Sequence, residues 1–322
     1  MENTANLDRT IVQQENVNLL REIRELCNRN NPEVVFLIGG PGVGKSAMVN
    51  TINKALCGTY YEKAKPNTRT FERFKNCGIQ ENELQGVQKY AFSTCLHILP
   101  SIIDSAGNID ENTLALQEIM ELVIGGFIPR GTSLAYLLDK QTHRPPGFLS
   151  RKYTTSNEEW KVTKIVFVVS CTQPLPTQLI QCLQAVLAAY DRRTGQARFN
   201  IDVFVAITKY DLVAEQGRFS TFNSQEQITM EQFLEYERNV ARHFSVFEHN
   251  RIRWVSYVDG HSGDNPFIEN IALKLVRQMM HNRAPEIAEN TSTLGEDIVA
   301  ALLFTAAICG ITWYVVKRSL SD

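Results

Sequence analysis

The chain has 322 residues, enough for one large domain or two small ones, with 43% apolar residues, 21% charged residues and a net charge of −2. This balance is typical of a globular fold with a hydrophobic core, and no run of Lys and Arg is long enough to predict nucleic acid as a partner. The seven cysteines are scattered without a CxxC pair, which argues against a disulfide framework and against a structural zinc site.

The first predicted element is an amphipathic helix at residues 9–30, within an N-terminal segment that we place at residues 1–32. Apolar side chains recur in it at helical spacing, at Ile11, Val12, Leu19, Leu20, Ile23 and Leu26. The sequence NRNNPE then ends the helix, because Asn and Pro favour turns. The first ten residues are polar and acidic, so no signal peptide is predicted.

From Glu33 onward, short apolar runs alternate with amphipathic segments. The runs predict strands at residues 34–38, at the end of 96–104, and at 164–170, 201–211 and 252–257. The amphipathic segments predict helices at residues 46–57, 114–123, 177–190, 229–244 and 266–280, with Gly58 as a cap after the first. This alternation predicts an α/β domain at residues 33–283, with a mostly parallel sheet covered on both faces. A polar stretch at about 130–160 is predicted to be an insert or long loop within it.

The C-terminal part of the chain differs in composition. Residues 284–297 are polar and predict a linker, whereas residues 298–316 contain no charged side chain. As a helix, that apolar segment would span about 28 Å, close to the thickness of a bilayer core. We expect a transmembrane helix, because a core helix would normally keep one polar face. Residues 317–322 form a short basic tail.

This arrangement predicts a single-pass membrane protein whose domain lies in the cytosol, because no signal peptide precedes the domain. The basic end of the tail suits the endoplasmic reticulum or the mitochondrial outer membrane, and the sequence leaves that choice open.

A glycine-rich loop follows the first predicted strand. Its sequence GGPGVGKS satisfies the pattern G-x-x-x-x-G-K-[ST], in which backbone N–H groups and the following helix surround phosphate oxygens. We expect Lys45 to bridge the β- and γ-phosphates and Ser46 to ligate Mg²⁺. The predicted nucleotide-contacting residues of this loop are Gly39, Gly40, Pro41, Gly42, Val43, Gly44, Lys45, Ser46 and Ala47. The glycine-rich loop alone is equally compatible with an ATPase and a GTPase.

Two later segments bear on the choice of base. In SIIDSAGN, Asp104 and Gly107 form D-x-x-G after a strand, so Asp104 can hold Mg²⁺ through a water and Gly107 can contact the γ-phosphate. Ser105 stands where ATPases of the AAA type usually carry a second acid. In VAITKYD, Thr208, Lys209 and Asp211 follow another strand. A carboxylate there can accept two hydrogen bonds from guanine, which adenine cannot supply.

Together, in this order and at strand ends, these motifs resemble those of the G-domain GTPases. The resemblance implies a three-layer P-loop NTPase G domain that binds GTP or GDP with Mg²⁺. It places the switch threonine in KPNTRTFERF, where Thr68, as a metal ligand, is preferred over Thr70. It places a further base contact at Ser256 and Tyr257, although VSY departs from the usual Ser-Ala-Lys turn.

Within that superfamily, the segments ELVIGGFIPRG and KIVFVVS…DVFVAITKYD are similar to the interferon-induced protein 44 family. The apolar C-terminal segment looks more like the immunity-associated GTPases, several of which are tail-anchored.

The residues expected to act in hydrolysis are Lys45, Thr68, Gly107 and Asn108. Asn108 is one methylene shorter than the Gln that orients water in Ras-like proteins, and Pro41 lacks an N–H. We therefore expect a slow GTPase, dependent on a partner or on a homodimer across the nucleotide face, that acts as a membrane-anchored switch or assembly factor. A non-hydrolysing GTP-binding scaffold is the alternative, and an ATPase is less favoured.

Overall fold

Residues 2–27, 32–66, 69–107, 110–142, 144–189, 199–213, 228–244, 250–257 and 264–281 are described by the computed structural model. All of them fall within one structural unit, Met1–His281. Strands and helices alternate through this unit, as their hydrophobic patterns predict.

A six-stranded sheet forms the centre of the unit, with the strand order β2-β3-β1-β4-β5-β6. The strands are β1 (Val34–Ile38), β2 (Glu72–Phe74), β3 (Ser101–Asp104), β4 (Lys164–Ser170), β5 (Asp202–Thr208) and β6 (Arg251–Arg253). Neighbouring strands are parallel except β2, which pairs antiparallel with β3. The central strands β1 and β4 are buried along their whole length, which is why they read as continuous apolar runs.

Helices cover both faces of this sheet. They are α1 (Glu2–Cys27), α2 (Lys45–Cys57), α3 (Gly86–Phe92), α4 (Leu114–Ile124), α5 (Leu134–Thr142), α6 (Phe148–Lys152), α7 (Thr177–Leu187), α8 (Met230–Phe244) and α9 (Pro266–Met280). Apolar side chains of α4 to α8 pack on one face, and those of α1, α2, α3 and α9 pack on the other. The expected three-layer α/β architecture with a mostly parallel sheet is therefore confirmed.

The strands predicted at 201–211 and 252–257 are shorter in the structure, and three further differences concern β2, β3 and the first helix. The strand β2 was not predicted, because it is three residues long and half-buried at the sheet edge, so its pattern is weak. The apolar run before β3 is divided: Leu96–Ile98 forms a 3-10 helix and only Ser101–Asp104 is strand. The first helix begins at Glu2 rather than at residue 9.

The segment predicted as a polar insert or long loop is a structured part of the core. It contains α5, α6 and a 3-10 helix at Glu158–Trp160. Leu137 and Leu149 are fully buried, and the carboxylate of Glu118 accepts hydrogen bonds from the backbone N–H groups of Gly147 and Ser150. The segment is therefore helical rather than a long loop, and that it is an insert stays a prediction. Its apolar residues were hard to recognise in the sequence because they lie among many polar ones and pack against α4.

The N-terminal helix packs along α9. Leu19 and Ile23 are buried in the shared core, and Asn16 is also buried. The amide Nδ2 of Asn16 donates to Pro266 O at 2.9 Å, and Asn270 Nδ2 donates to Asn16 Oδ1 at 2.9 Å. Polar as well as apolar contacts thus hold α1 against α9.

The predicted transmembrane segment at residues 298–316 lies outside the described residues, as do the linker at 284–297 and the tail at 317–322. Among the helices of the described ranges, none combines the length and the apolar character needed to cross a bilayer.

We expect Leu137→Ala to lower the free energy of unfolding by about 2–5 kcal/mol, because it would leave a cavity between α4, α5 and α6. Urea denaturation of the full chain, followed by tryptophan fluorescence, would measure the change. Lys140→Ala, at an exposed position of the same helix, is the matched control. Equal stability of the two variants would contradict the assignment of this segment to the core.

Candidate functional site

Three loops that carry the predicted motifs follow neighbouring or next-neighbouring strands of the sheet. The glycine-rich loop follows β1, the D-x-x-G loop follows β3 beside it, and the TKYD segment follows β5, separated from β1 only by β4. Because these strands are parallel, their carboxyl ends lie at one edge of the sheet, which is where open α/β sheets bind ligands. The structure therefore brings the three motifs to one edge.

The glycine-rich loop curls tightly because two of its glycines adopt positive φ angles and a third allows close backbone contact. Gly42 and Gly44 have φ angles of 69° and 96°. A Cβ on Gly39 would lie 2.2 Å from Val168 O of the neighbouring strand β4. Glycine is the residue that fits at these positions without strain. Ala47 lies in the first turn of α2, and its carbonyl accepts from Thr51 Oγ1 at 2.8 Å.

Lys45 is folded into the loop that precedes it. Its amine donates to Gly39 O at 3.0 Å and to Gly40 O at 2.9 Å, and the residue is 6% exposed. Burial lowers the pKa of Lys45 to about 8, although the nearby carboxylate of Asp104 raises it in part. A buried amine held by two carbonyls at a helix N-terminus is a positive charge in place to meet an anion.

The hydroxyl of Ser46 joins the glycine-rich loop to the end of β3. It donates to Asp104 Oδ2 at 2.7 Å. Burial raises the pKa of Asp104, while the hydrogen bond from Ser46 and the charge of Lys45 lower it and Glu72 raises it further. Asp104 is 1% exposed, and its second oxygen, Oδ1, is buried without a hydrogen-bond partner among the described residues. A buried acceptor of this kind is uncommon in proteins, and it is available to a ligand or a water molecule.

The D-x-x-G glycine lies against the glycine-rich loop. A Cβ on Gly107 would be 2.4 Å from Pro41 Cα, so no larger residue fits there without displacing the loop. Two residues predicted to act nearby, Thr68 and Asn108, lie outside the described residues. Thr70, the less preferred switch threonine, donates its hydroxyl to Glu72 Oε1 at 2.6 Å.

The TKYD segment contacts the glycine-rich loop and the loop that follows β4. Thr208 Oγ1 donates to Val43 O at 2.6 Å and lies 3.0 Å from Val169 O, so this buried hydroxyl ties β5 to the glycine-rich loop. Lys209 adopts a left-handed conformation with φ of 60°, and its amine donates to Thr172 Oγ1 at 3.0 Å. Burial raises the pKa of Asp211, while its backbone hydrogen bond and Lys209 lower it.

The segment after β6 carries the two residues predicted to contact the base. Ser256 is half-buried, and its hydroxyl accepts from Trp254 Nε1 at 2.8 Å. Tyr257 is 3% exposed and turns toward α9: its backbone N–H donates to Thr51 Oγ1 at 2.9 Å and its hydroxyl to Asn265 O at 3.0 Å. The N–H and the hydroxyl of Tyr257 thus help to pack α9 against α2, and the base contact at Ser256 and Tyr257 stays a prediction.

Sequence reasoning missed two residues of the loop after β4. Thr172 accepts from Lys209, and Gln173 Nε2 lies 3.5 Å from Pro41 O beside the glycine-rich loop. A sequence signal did exist, because both residues directly follow a buried strand, as the residues of the three motifs do.

No protein-family model and no curated protein matches this chain. Among solved structures, the chain is similar to Toc33 from Arabidopsis thaliana in complex with GDP and Mg²⁺, with 12% identity and a TM-score of 0.39, covering 85% of this chain and 93% of that one. It is also similar to the signal recognition particle receptor SRb-GTP/SRX complex from Chaetomium thermophilum, with 15% identity and a TM-score of 0.31, covering 63% and 89%. Values this low establish neither a family nor a shared function.

We expect Thr208→Val to lower the free energy of unfolding by about 1–3 kcal/mol, because it leaves the buried carbonyl of Val43 without its donor. Thr208→Ser keeps the hydroxyl and should retain most of the stability. Urea denaturation of the two variants and the wild-type chain would compare them. If Val is tolerated as well as Ser, the hydroxyl does not hold the loop.

Proposed function

We propose that this chain is a GTP-binding protein with a G domain at residues 33–283. The observation that carries the proposal is the hydrogen bond from Ser46 to Asp104, which joins the glycine-rich loop to the D-x-x-G segment and leaves one buried carboxylate oxygen unpaired. Lys45 adds a positive charge within the same loop. Strand order, motif order and the shared sheet edge all support this reading of the site.

The residues at the start of α2 and at the end of β3 fit a divalent cation. Ser46 offers a hydroxyl oxygen, and Asp104 offers a carboxylate whose Oδ1 needs a partner. Oxygen donors of this kind suit Mg²⁺, which prefers carboxylates, waters and phosphate oxygens. We propose that Ser46 and Asp104 hold Mg²⁺, with Thr68 as a further ligand. When bound, the ion would neutralise charge on the phosphate oxygens of the nucleotide.

The choice of guanine depends on Asp211. This partly buried carboxylate lies three residues after Thr208, at the end of β5. Because Thr208 donates a hydrogen bond to the glycine-rich loop, Asp211 belongs to a segment that is held next to the proposed phosphate site. An acceptor pair at this place would bind the N1–H and the amino group of guanine. Adenine has neither donor in that position, and the unpaired carboxylate would then disfavour ATP.

Asp211→Asn should weaken GDP binding by about 100-fold or more and improve the binding of xanthosine diphosphate, because an amide N–H can donate to the extra oxygen of xanthine. Fluorescence titration of the full chain with GDP, ADP and xanthosine diphosphate would measure the three affinities. Asp139→Asn, at an exposed position of α5, is the matched control. Wild-type chain that binds ADP as tightly as GDP would contradict the assignment of the base.

We propose that hydrolysis is slow. The ring of Pro41 occupies the loop beside Gly107 and contributes no backbone N–H to a phosphate. Asn108, the candidate for orienting water, is shorter than Gln. A partner protein or a second copy of this chain across the nucleotide face would then supply the missing groups. The same loss of a donor at Pro41 favours the alternative, a GTP-binding scaffold without useful hydrolysis.

The full chain at low concentration should turn over GTP at a rate on the order of 10⁻³ per second or slower. A turnover per molecule that increases with protein concentration would identify a second copy as the activating partner. Lys45→Ala gives the background, because it removes the phosphate-binding amine. Many turnovers per minute by the chain alone would contradict the role assigned to Pro41 and Asn108.

The broader role also remains a proposal. We propose a membrane-anchored switch or assembly factor, with the segment at 298–316 as a tail anchor in the endoplasmic reticulum or mitochondrial outer membrane and the domain in the cytosol. The motif layout supports a relationship to the interferon-induced protein 44 family, and the tail supports one to the immunity-associated GTPases. Fractionation of the full chain against a chain ending at residue 297 would test the anchor.

A further inference from the structure

Glu72 lies in the edge strand β2, next to the proposed cation site at the end of β3. The antiparallel pairing of β2 with β3 places Glu72 directly opposite Asp104. Side chains of directly opposed residues in an antiparallel pair point to the same face of the sheet, with their Cβ atoms about 4.5–5.5 Å apart. Two carboxylates therefore lie side by side at the end of β3, and only Asp104 was predicted from the sequence.

Each of these carboxylates has one oxygen in use and one without a partner among the described residues. Asp104 Oδ2 accepts from Ser46, and its Oδ1 is buried and unpaired. Glu72 Oε1 accepts from Thr70, and its Oε2 makes no hydrogen bond within the part of the chain that the structure describes. The burial of Asp104 Oδ1 without a partner is a second observation beside the pairing of the two acids, and it leaves this oxygen available to a ligand.

The charges around the pair compensate its repulsion only in part. Like charges directly opposite in a sheet are destabilising, and the burial of Asp104 strengthens the effect. The cation beside them, Lys45, directs its hydrogen bonds to the carbonyls of Gly39 and Gly40 rather than to either carboxylate. A divalent cation between the carboxylates would remove this repulsion.

We propose that Glu72 is a positioning residue for the divalent cation, accepting hydrogen bonds from water molecules in the hydration shell of Mg²⁺. Glu72 is half-buried, so a water molecule can lie between its carboxylate and an ion held by Ser46 and Asp104. Mg²⁺ keeps several waters in proteins and is held by one or two carboxylates together with phosphates. The bond from Thr70 orients the Glu72 carboxylate. This inference rests on the nucleotide site proposed above and assigns to it a residue of the edge strand.

The test measures GDP affinity of the full chain at a series of free Mg²⁺ concentrations buffered with EDTA. Replacing a residue that hydrogen-bonds to a ligand of a metal ion typically lowers the affinity for the metal by 10-fold or more. For Glu72→Gln we therefore expect the Mg²⁺ concentration that gives half-maximal tight binding to rise by about 10-fold. In EDTA alone, GDP should bind to this variant no more weakly than to the wild type. Glu81→Gln, at an exposed position, should match the wild type throughout.

The outcomes separate the two proposals. If wild-type chain needs Mg²⁺ for tight GDP binding and Glu72→Gln needs the same concentration, the role of Glu72 is refuted while the nucleotide site stands. If Glu72→Gln loses affinity equally in EDTA and in Mg²⁺, Glu72 only supports the fold and the inference is again refuted. If the wild type binds no GDP under either condition, the proposed function fails and this inference fails with it. Circular dichroism of each variant would show that it is folded.

Discussion

The hydrogen bond between Ser46 and Asp104 is the contact on which the architecture of the site depends. It connects the first turn of α2 to the carboxyl end of β3 through two residues that are 58 positions apart in the sequence. The bond from Thr208 to Val43 extends this connection to β5. The order of the strands makes both contacts available, because β1 lies between β3 and β4. A change in the register of β3 or β5 would break these hydrogen bonds.

Burial shifts the protonation of the two charged groups at this site in opposite directions. It lowers the pKa of Lys45 and raises that of Asp104, since the charged form of each group is disfavoured away from water. Each charge partly offsets the effect on the other. The folded chain therefore carries an unfavourable, preformed set of charges, which a phosphate and a divalent cation would stabilise. This is the pattern expected where a protein trades stability for function.

Helices on both faces of the sheet support the loops of this site. The helices α1 and α9 pack together beneath α2, and Lys54 of α2 is buried with its amine 2.8 Å from Asp264 Oδ1. Tyr257 hydrogen-bonds to both α2 and the start of α9. On the other face, α5 and α6 complete the core around α4. The rigidity of the glycine-rich loop thus depends on packing at both faces of the sheet.

The sequence by itself determined the alternation of strands and helices, the bounds of β1, α2 and α4 to within a residue or so, and the tight turn of the glycine-rich loop. These features are local: hydrophobic periodicity and glycine conformation act over a few residues. Tertiary structure alone decided that Glu72 lies opposite Asp104, that Tyr257 turns toward α9, and that residues 130–160 build core rather than loop. Those outcomes depend on strand register and on burial by distant segments, and neither leaves a pattern in the local sequence.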